Sequence, residues 1–196
     1  MVIHPTPIGW PAPILFFAGM VLFLALLAFA GKSAPEQGES RRSARSIIGI
    51  VVQMASFFVV GAGPMVISLP PASVPALLQA AAVLVLSAIT CGLFFASKRA
   101  MGRNWSLVAR TRSDHDLVTW GPFAYVRHPI YSALFAWLVA MAVAFGHYRG
   151  LIVGIPLYWL GTMLRIVEEE RLLKAHFGPA YDVYAARVKR FLPGLF

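Results

Sequence analysis

The chain has 196 residues, of which 59% are hydrophobic and only 13% charged, with a formal net charge of +9 and a mean hydropathy of +0.72. A soluble domain carries about a quarter charged residues, so this composition excludes an ordinary water-soluble globule. Cys91 is the only cysteine, which excludes a disulfide framework, and basic residues scattered over three loops rather than one face argue against a nucleic-acid partner.

Residues 1–12 are rich in Pro and hold no Lys, Arg, Asp or Glu, with Trp10 placed as an interfacial anchor. With no basic residue ahead of the first apolar run, that run is expected to stay as a span rather than be removed as a secretory signal. Five apolar segments are expected to cross the bilayer: Pro13–Ala30, Ile47–Leu69, Ala76–Ala96, Tyr131–Phe145 and Leu151–Arg165. The reading is an all-α integral membrane protein, one domain over residues 1–196. A span needs about 20 residues; the fifth segment is shorter and is expected to continue as helix through Arg165 and Glu168-Glu169-Glu170. Three Glu at the end of a membrane helix oppose its dipole.

Between the spans, the polar 31–46 stretch reads as a connector. Gly61-Ala62-Gly63-Pro64 is expected to kink the second span or admit a close neighbour. Pro70, Pro71 and Pro75 predict a tight turn that makes spans two and three an antiparallel hairpin. Beyond the fifth span, Gly178-Pro179 stops a first helix. An amphipathic segment then follows within the cytosolic region 166–193, lying on the membrane surface or folding back onto the preceding loop. This count leaves every Lys and Arg except Arg149 on one side. By the positive-inside rule that side is cytoplasmic, with the N-terminus opposite and the C-terminus and site cytoplasmic.

The long stretch from Ser97 to Ile130 holds the richest side-chain chemistry, above all Gly121-Pro122-Phe123-Ala124-Tyr125-Val126-Arg127-His128-Pro129-Ile130-Tyr131. Pro122 and Pro129 interrupt any helix and push Gly121 and His128 toward extended conformations. Arg165 and Glu169 share a helix face at i, i+4, and Glu168 is three residues from Arg165. Ionisable residues at membrane depth point to function. The five His show no metal-ligand spacing, so no metal site is expected. No dinucleotide-binding glycine motif follows a strand pattern, and no serine sits in a nucleophile elbow.

These residues resemble a known family. Asp116-Leu117-Val118, the Gly121–Tyr131 run, Glu168-Glu169-Glu170, Phe177-Gly178-Pro179-Ala180-Tyr181 with Tyr184, and Phe191-Leu192-Pro193 are similar to the isoprenylcysteine carboxyl methyltransferases and their phospholipid methyltransferase relatives. The likeness covers about the last hundred residues; the first two spans fit only by count. It implies an integral membrane enzyme that binds S-adenosylmethionine, leaving S-adenosylhomocysteine as product, at its cytosolic face and takes a lipid-like or prenylated substrate from the bilayer. Carried over by position, His115, Asp116, Leu117 and Val118 supply backbone contacts to the cofactor, joined by Tyr125, His128, Pro129, Ile130, Tyr131 and the carboxylate of Glu169. Phe123 stands where the family usually has Tyr, so stacking remains and a hydroxyl contact is lost. Ser132-Ala133 is a milder departure. Arg165 matches the arginine that binds the substrate carboxylate.

The chemistry of the residues agrees with that implication. Glu168 or Glu169 can pair an ammonium or ribose hydroxyls, and Arg127 can hold a carboxylate through two hydrogen bonds. A carboxylate acceptor is already ionised near neutral pH, whereas an amine must first lose a proton to Glu168, Glu169 or His128. Arg127, Arg165 and Glu168 are therefore the catalytic candidates, and Arg165 favours carboxyl O-methylation over N-methylation of a lipid amine. An NADPH-dependent sterol-type reductase, whose C-terminal region shares a similar His-Pro-x-Tyr pattern, and a non-enzymatic membrane scaffold are the rival classes.

Overall fold

The computed structural model describes residues 5–29, 44–102 and 116–191. Six α-helices follow in order: α1 Pro11–Phe29, α2 Ala44–Gly61, α3 Val74–Met101, α4 Pro129–Phe145, α5 Leu151–Phe177 and α6 Pro179–Arg187, with 3-10 turns at Gly121–Ala124 and Tyr148–Gly150. No strand occurs among the described residues, only the isolated bridges Ile8–Ile67 and Val126–Lys189. Helices α1, α2, α3 and α5 are long and apolar enough to cross a membrane, and α4 is a shorter apolar helix. Large side chains such as Val21, Phe58, Leu78 and Ile152 point outward, as expected of helices solvated by lipid. The protein is an all-α, multi-pass membrane protein.

Two differences from the sequence expectation concern α2. It ends at Gly61 rather than at residue 69, because Gly63 adopts φ 135° and Pro64 lacks the N–H that a further turn requires. Residues beyond it run extended, and Ile8 donates to Val66 while Ser68 and Leu69 donate to Ile8. Nor do α2 and α3 form a packed hairpin. Helix α2 lies along α5, whereas α3 lies between α1 and α4. Glycines decide this pairing: a Cβ on Gly161 would stand 2.7 Å from both Gln53 N and Gly49 O, and one on Gly49 would stand 2.5 Å from Arg165 Cγ. Helices in lipid associate through such close backbone approach, since lipid tails are as apolar as side chains.

The halves meet through α4. Phe16 of α1, Val60 of α2, Val83 of α3, Trp137, Leu138 and Met141 of α4, and Tyr158 of α5 form one buried cluster. Phe16 stacks on Trp137 with ring centroids 4.7 Å apart. Thr90 of α3 donates to Ala133 O of α4 at 3.0 Å.

Helix α5 carries the site-bearing residues. Its 27 residues extend about 40 Å at 1.5 Å per residue, so it runs beyond a hydrocarbon core about 30 Å thick. The expected continuation through Arg165 and the Glu row is present. The Glu row lies seven residues or more before the end of α5 at Phe177, outside the last turn where a dipole acts; the expected conflict with the dipole does not arise. Gly178, at φ 54°, breaks α5 from α6, and α6 folds back onto the Gly121–Tyr131 loop instead of leaving along a surface. The bridge between Val126 and Lys189, with Arg127 N donating to Lys189 O at 2.8 Å and His128 N to Arg190 O at 3.0 Å, fixes that return.

Candidate active site

Pro122 sits inside the 3-10 turn and Pro129 at the first turn of α4, positions where a missing N–H costs nothing. Gly121 is not extended as expected; it adopts φ 62°, a left-handed conformation that glycine enters without strain. His128, at φ −128° and ψ 57°, ends the loop immediately before α4, and Tyr131 in the first turn of that helix faces α5.

Adjacent residues on an α-helix point about 100° apart, so the three consecutive Glu of α5 meet three different environments. Glu168 is buried and takes both Nε and Nη2 of Arg171, at 3.1 and 2.7 Å. The expected pairing with a ligand is thus occupied by a neighbour on its own helix. Glu169, with 25% of its side chain exposed, accepts the Tyr131 hydroxyl, and its oxygens lie 3.9 Å from Arg165 Nη2 and 3.7 Å from His128 Nδ1. Glu170 accepts two hydrogen bonds from Arg190, at 3.1 and 2.6 Å, while Arg127 Nη2 stands at 3.3 Å and His128 Nε2 at 3.0 Å. Glu170 ties together the loop, α5 and the C-terminal return.

Arg165 is 8% exposed and sits between helices. Its Nη1 donates to Gln53 Oε1 of α2 at 3.0 Å, and Gln53 Nε2 donates to Thr162 Oγ1 at 2.7 Å. Its guanidinium lies 5.1 Å from the centre of the Tyr131 ring, a cation–π distance. Tyr131 is steadied in turn, because the Tyr158 hydroxyl donates to its carbonyl at 2.5 Å.

Arg127 is less available than the sequence suggests. Its Nη1 donates to Ala185 O of α6 at 3.0 Å and Nη2 pairs with Glu170. Its buried Nε and the buried Tyr181 hydroxyl have no hydrogen-bond partner among the described residues. Two buried donors suit an acceptor group brought in from outside, since leaving each unmade costs about 1–3 kcal/mol.

The remaining candidates separate. Pro129 is buried and Ile130 half-buried beside His128, while Asp116, Leu117 and Val118 lead toward the 3-10 turn. Tyr125 is 69% exposed and turns away from the cluster, because the loop commits Val126 to the interior. Phe123 contributes its backbone carbonyl, which accepts the Tyr184 hydroxyl at 2.7 Å. His115 lies outside the described residues. Among those described, no three His, Cys, Asp or Glu gather as a metal-binding group.

Burial pushes the Tyr184 phenol up to about 12, with the Arg127 charge opposing the shift. Burial and then the Glu170 charge likewise raise that of Tyr181. Tyr184 therefore remains a donor to Phe123 where an ordinary tyrosine ionises. Its folded-state value is raised, so its stabilising contribution is complete below about pH 10 and falls as pH rises through about 12. A tyrosinate absorbance titration of wild type minus Tyr184→Phe is expected to show one component near the upper value; a component titrating at the ordinary value would contradict the contact.

A profile of the Isoprenylcysteine carboxyl methyltransferase (ICMT) family matches residues 81–175, the stretch that carries most of this constellation. Over this segment the chain is similar to that family. It is 35% identical over 94 residues to a protein-S-isoprenylcysteine O-methyltransferase of Schizosaccharomyces pombe, covering 47% of this chain and 40% of that protein. A protein-S-isoprenylcysteine O-methyltransferase B of Arabidopsis thaliana is 34% identical over 94 residues, covering 47% and 48%. The nickel-cobalt-cadmium resistance protein NccN of Alcaligenes xylosoxydans xylosoxydans is 30% identical over 108 residues, covering 55% and 50%. The chain spans about half or less of the length of these curated relatives.

Within the matched segment, sequence reasoning assigned no role to Glu170, Tyr158 or Thr162. Gln53 and Arg190 lie outside it and were passed over as well. Gln53 carried a signal: it is the one amide in a largely apolar span, and polar residues at such depth require partners. Arg190 carried none, because its partner is 20 residues away and reached only through the α6 turn.

Proposed function

We propose that this chain transfers a methyl group from S-adenosylmethionine to the carboxylate of an isoprenylcysteine-like acceptor drawn from the bilayer, acting as one membrane domain whose site faces the cytoplasm. The observation that carries the reading is the buried Arg165, set beside Glu169 and Tyr131 with its guanidinium held from α2. A buried guanidinium is suited to a carboxylate or phosphate. The similarity of residues 81–175 to the isoprenylcysteine family favours the carboxylate.

The residues fit the donor. The ammonium of its amino-acid tail suits Glu169 and its carboxylate suits the unpartnered Arg127 Nε and Tyr181 hydroxyl, with His128 and the Ile130 backbone closing the same turn. Bound there, the donor would supply a sulfonium-activated methyl group for the acceptor oxygen, with a neutral thioether as the leaving group. The chain's part is to align the acceptor and exclude water, the main source of rate in an in-line displacement. A carboxylate needs no proton removed. Each candidate base already has cationic or hydrogen-bonding partners: Glu168 holds Arg171, Glu169 accepts the Tyr131 hydroxyl, and His128 sits against Glu170. An amine acceptor, as in phospholipid N-methylation, lacks a free base here and is the weaker reading.

The test is calorimetric titration of detergent-purified protein with S-adenosylhomocysteine, followed by methyl transfer to N-acetyl-farnesylcysteine and, separately, to phosphatidylethanolamine. Saturable binding and a base-labile ester on the cysteine are expected; transfer to the amine lipid alone would replace this reading, and no binding by folded protein would end it. Glu169→Ala is expected to weaken S-adenosylhomocysteine about tenfold, the value of one charge-assisted hydrogen bond at a partly exposed group. Unchanged affinity would remove Glu169 from the cofactor site.

A further inference from the structure

We infer that Gln53 of α2 is a positioning residue for the acceptor carboxylate, acting through Arg165, so that the substrate site extends beyond the 81–175 segment onto the second span. This rests on the proposed carboxyl transfer. Gln53 is 2% exposed in an apolar helix, where an amide without partners is costly. Both ends of its amide are used, and both reach α5: Oε1 takes Arg165 Nη1 and Nε2 gives to Thr162 Oγ1. Thr162 and Arg165 are three residues apart on one face, so a single amide side chain fixes the guanidinium relative to the helix that bears it.

A second α2 residue is shaped around the same side chain. Gly49 lies one turn before Gln53, and a Cβ there would come within 2.5 Å of Arg165 Cγ. Gly49 makes room for the stem of Arg165 and Gln53 holds its head. Helix contact alone does not require this arrangement, because the backbone approach at Gly49 and Gly161 already joins α2 to α5. An arginine stem has several rotatable bonds, and an unanchored guanidinium loses affinity to the entropy of ordering it at each binding event.

The experiment compares Gln53→Met, which keeps the shape and removes both hydrogen bonds, with Gln53→Glu, which keeps an acceptor for Arg165 but neutralises its charge. In each, the KM for N-acetyl-farnesylcysteine is expected to rise about tenfold or more. The kcat at saturation and the Kd for S-adenosylhomocysteine should stay within about threefold, a split that general loosening of the fold does not produce. An unchanged acceptor KM in either folded variant, or acceptor KM and cofactor Kd rising together, overturns the inference. Should Gln53→Met not fold, Gln53→Glu decides alone. Wild-type protein that forms no ester defeats the proposed function itself. Wild type forming ester, with Arg165→Gln impaired and both Gln53 variants normal, defeats only the role of Gln53.

Discussion

Replacing Arg165 by Gln is expected to raise the KM for a carboxylate acceptor about 100-fold while leaving the Kd for S-adenosylhomocysteine within about threefold. The size follows from hydrogen bonds to a charged group, worth about 1.5–3 kcal/mol, which corresponds to about 10–150-fold in affinity. The upper part of that range applies because Arg165 is buried, with Tyr131 and Gln53 around it rather than water. Arg165→Lys is expected to recover little of the loss. An ammonium is a point charge and cannot span from Gln53 Oε1 to the neighbourhood of Glu169 as the planar guanidinium does. Initial rates at varied acceptor, beside calorimetry on the same preparation, separate the outcomes. Equal losses in acceptor KM and cofactor affinity would assign Arg165 to the donor side or to the fold.

The largest stability effect is expected from Glu170→Ala, with a loss of about 3 kcal/mol, the lower end for removing one partner of a buried ion pair. The lower end is used because Arg190 has 36% of its side chain exposed and water screens that part of the interaction. Removal takes from Arg127 and Arg190 the carboxylate they share and leaves His128 beside Glu169 alone. The C-terminal return would then rest on the backbone bonds at Lys189 and Arg190 and on the Tyr184–Phe123 contact. Two measurements check this: the thermal midpoint of the detergent-solubilised protein, and trypsin cleavage at Arg187, Lys189 and Arg190, expected to accelerate. Glu170→Gln keeps the shape and should fall between. A variant with unchanged midpoint and cleavage would show that Glu170 does not hold the return.

Much of the candidate site's geometry was legible in the sequence because it is local. Pro122 and Pro129 bracket the loop, Arg165 and Glu169 lie one helical turn apart, and the fifth apolar run is too short to span unless its helix continues past Arg165. What the Glu row does was not legible. Its three members differ only in the direction each side chain points, and the partners that distinguish them come from the loop, from Arg190, and from within α5. Tyr125 and Arg127 show the same limit, since two neighbouring polar residues in one motif end up exposed and paired respectively.

The sequence by itself determined the all-α membrane class, the apolar helices and the bent, polar candidate loop, because hydropathy, proline and short-range spacing act within a few residues. Tertiary structure alone decided that α2 packs on α5 rather than α3, that Gln53 reaches Arg165, and that α6 folds back to Glu170. In lipid every span is apolar outside, so hydropathy cannot choose partners. Backbone approach at Gly49 and Gly161 and the pairing of a few buried polar atoms make that choice, between residues more than a hundred positions apart.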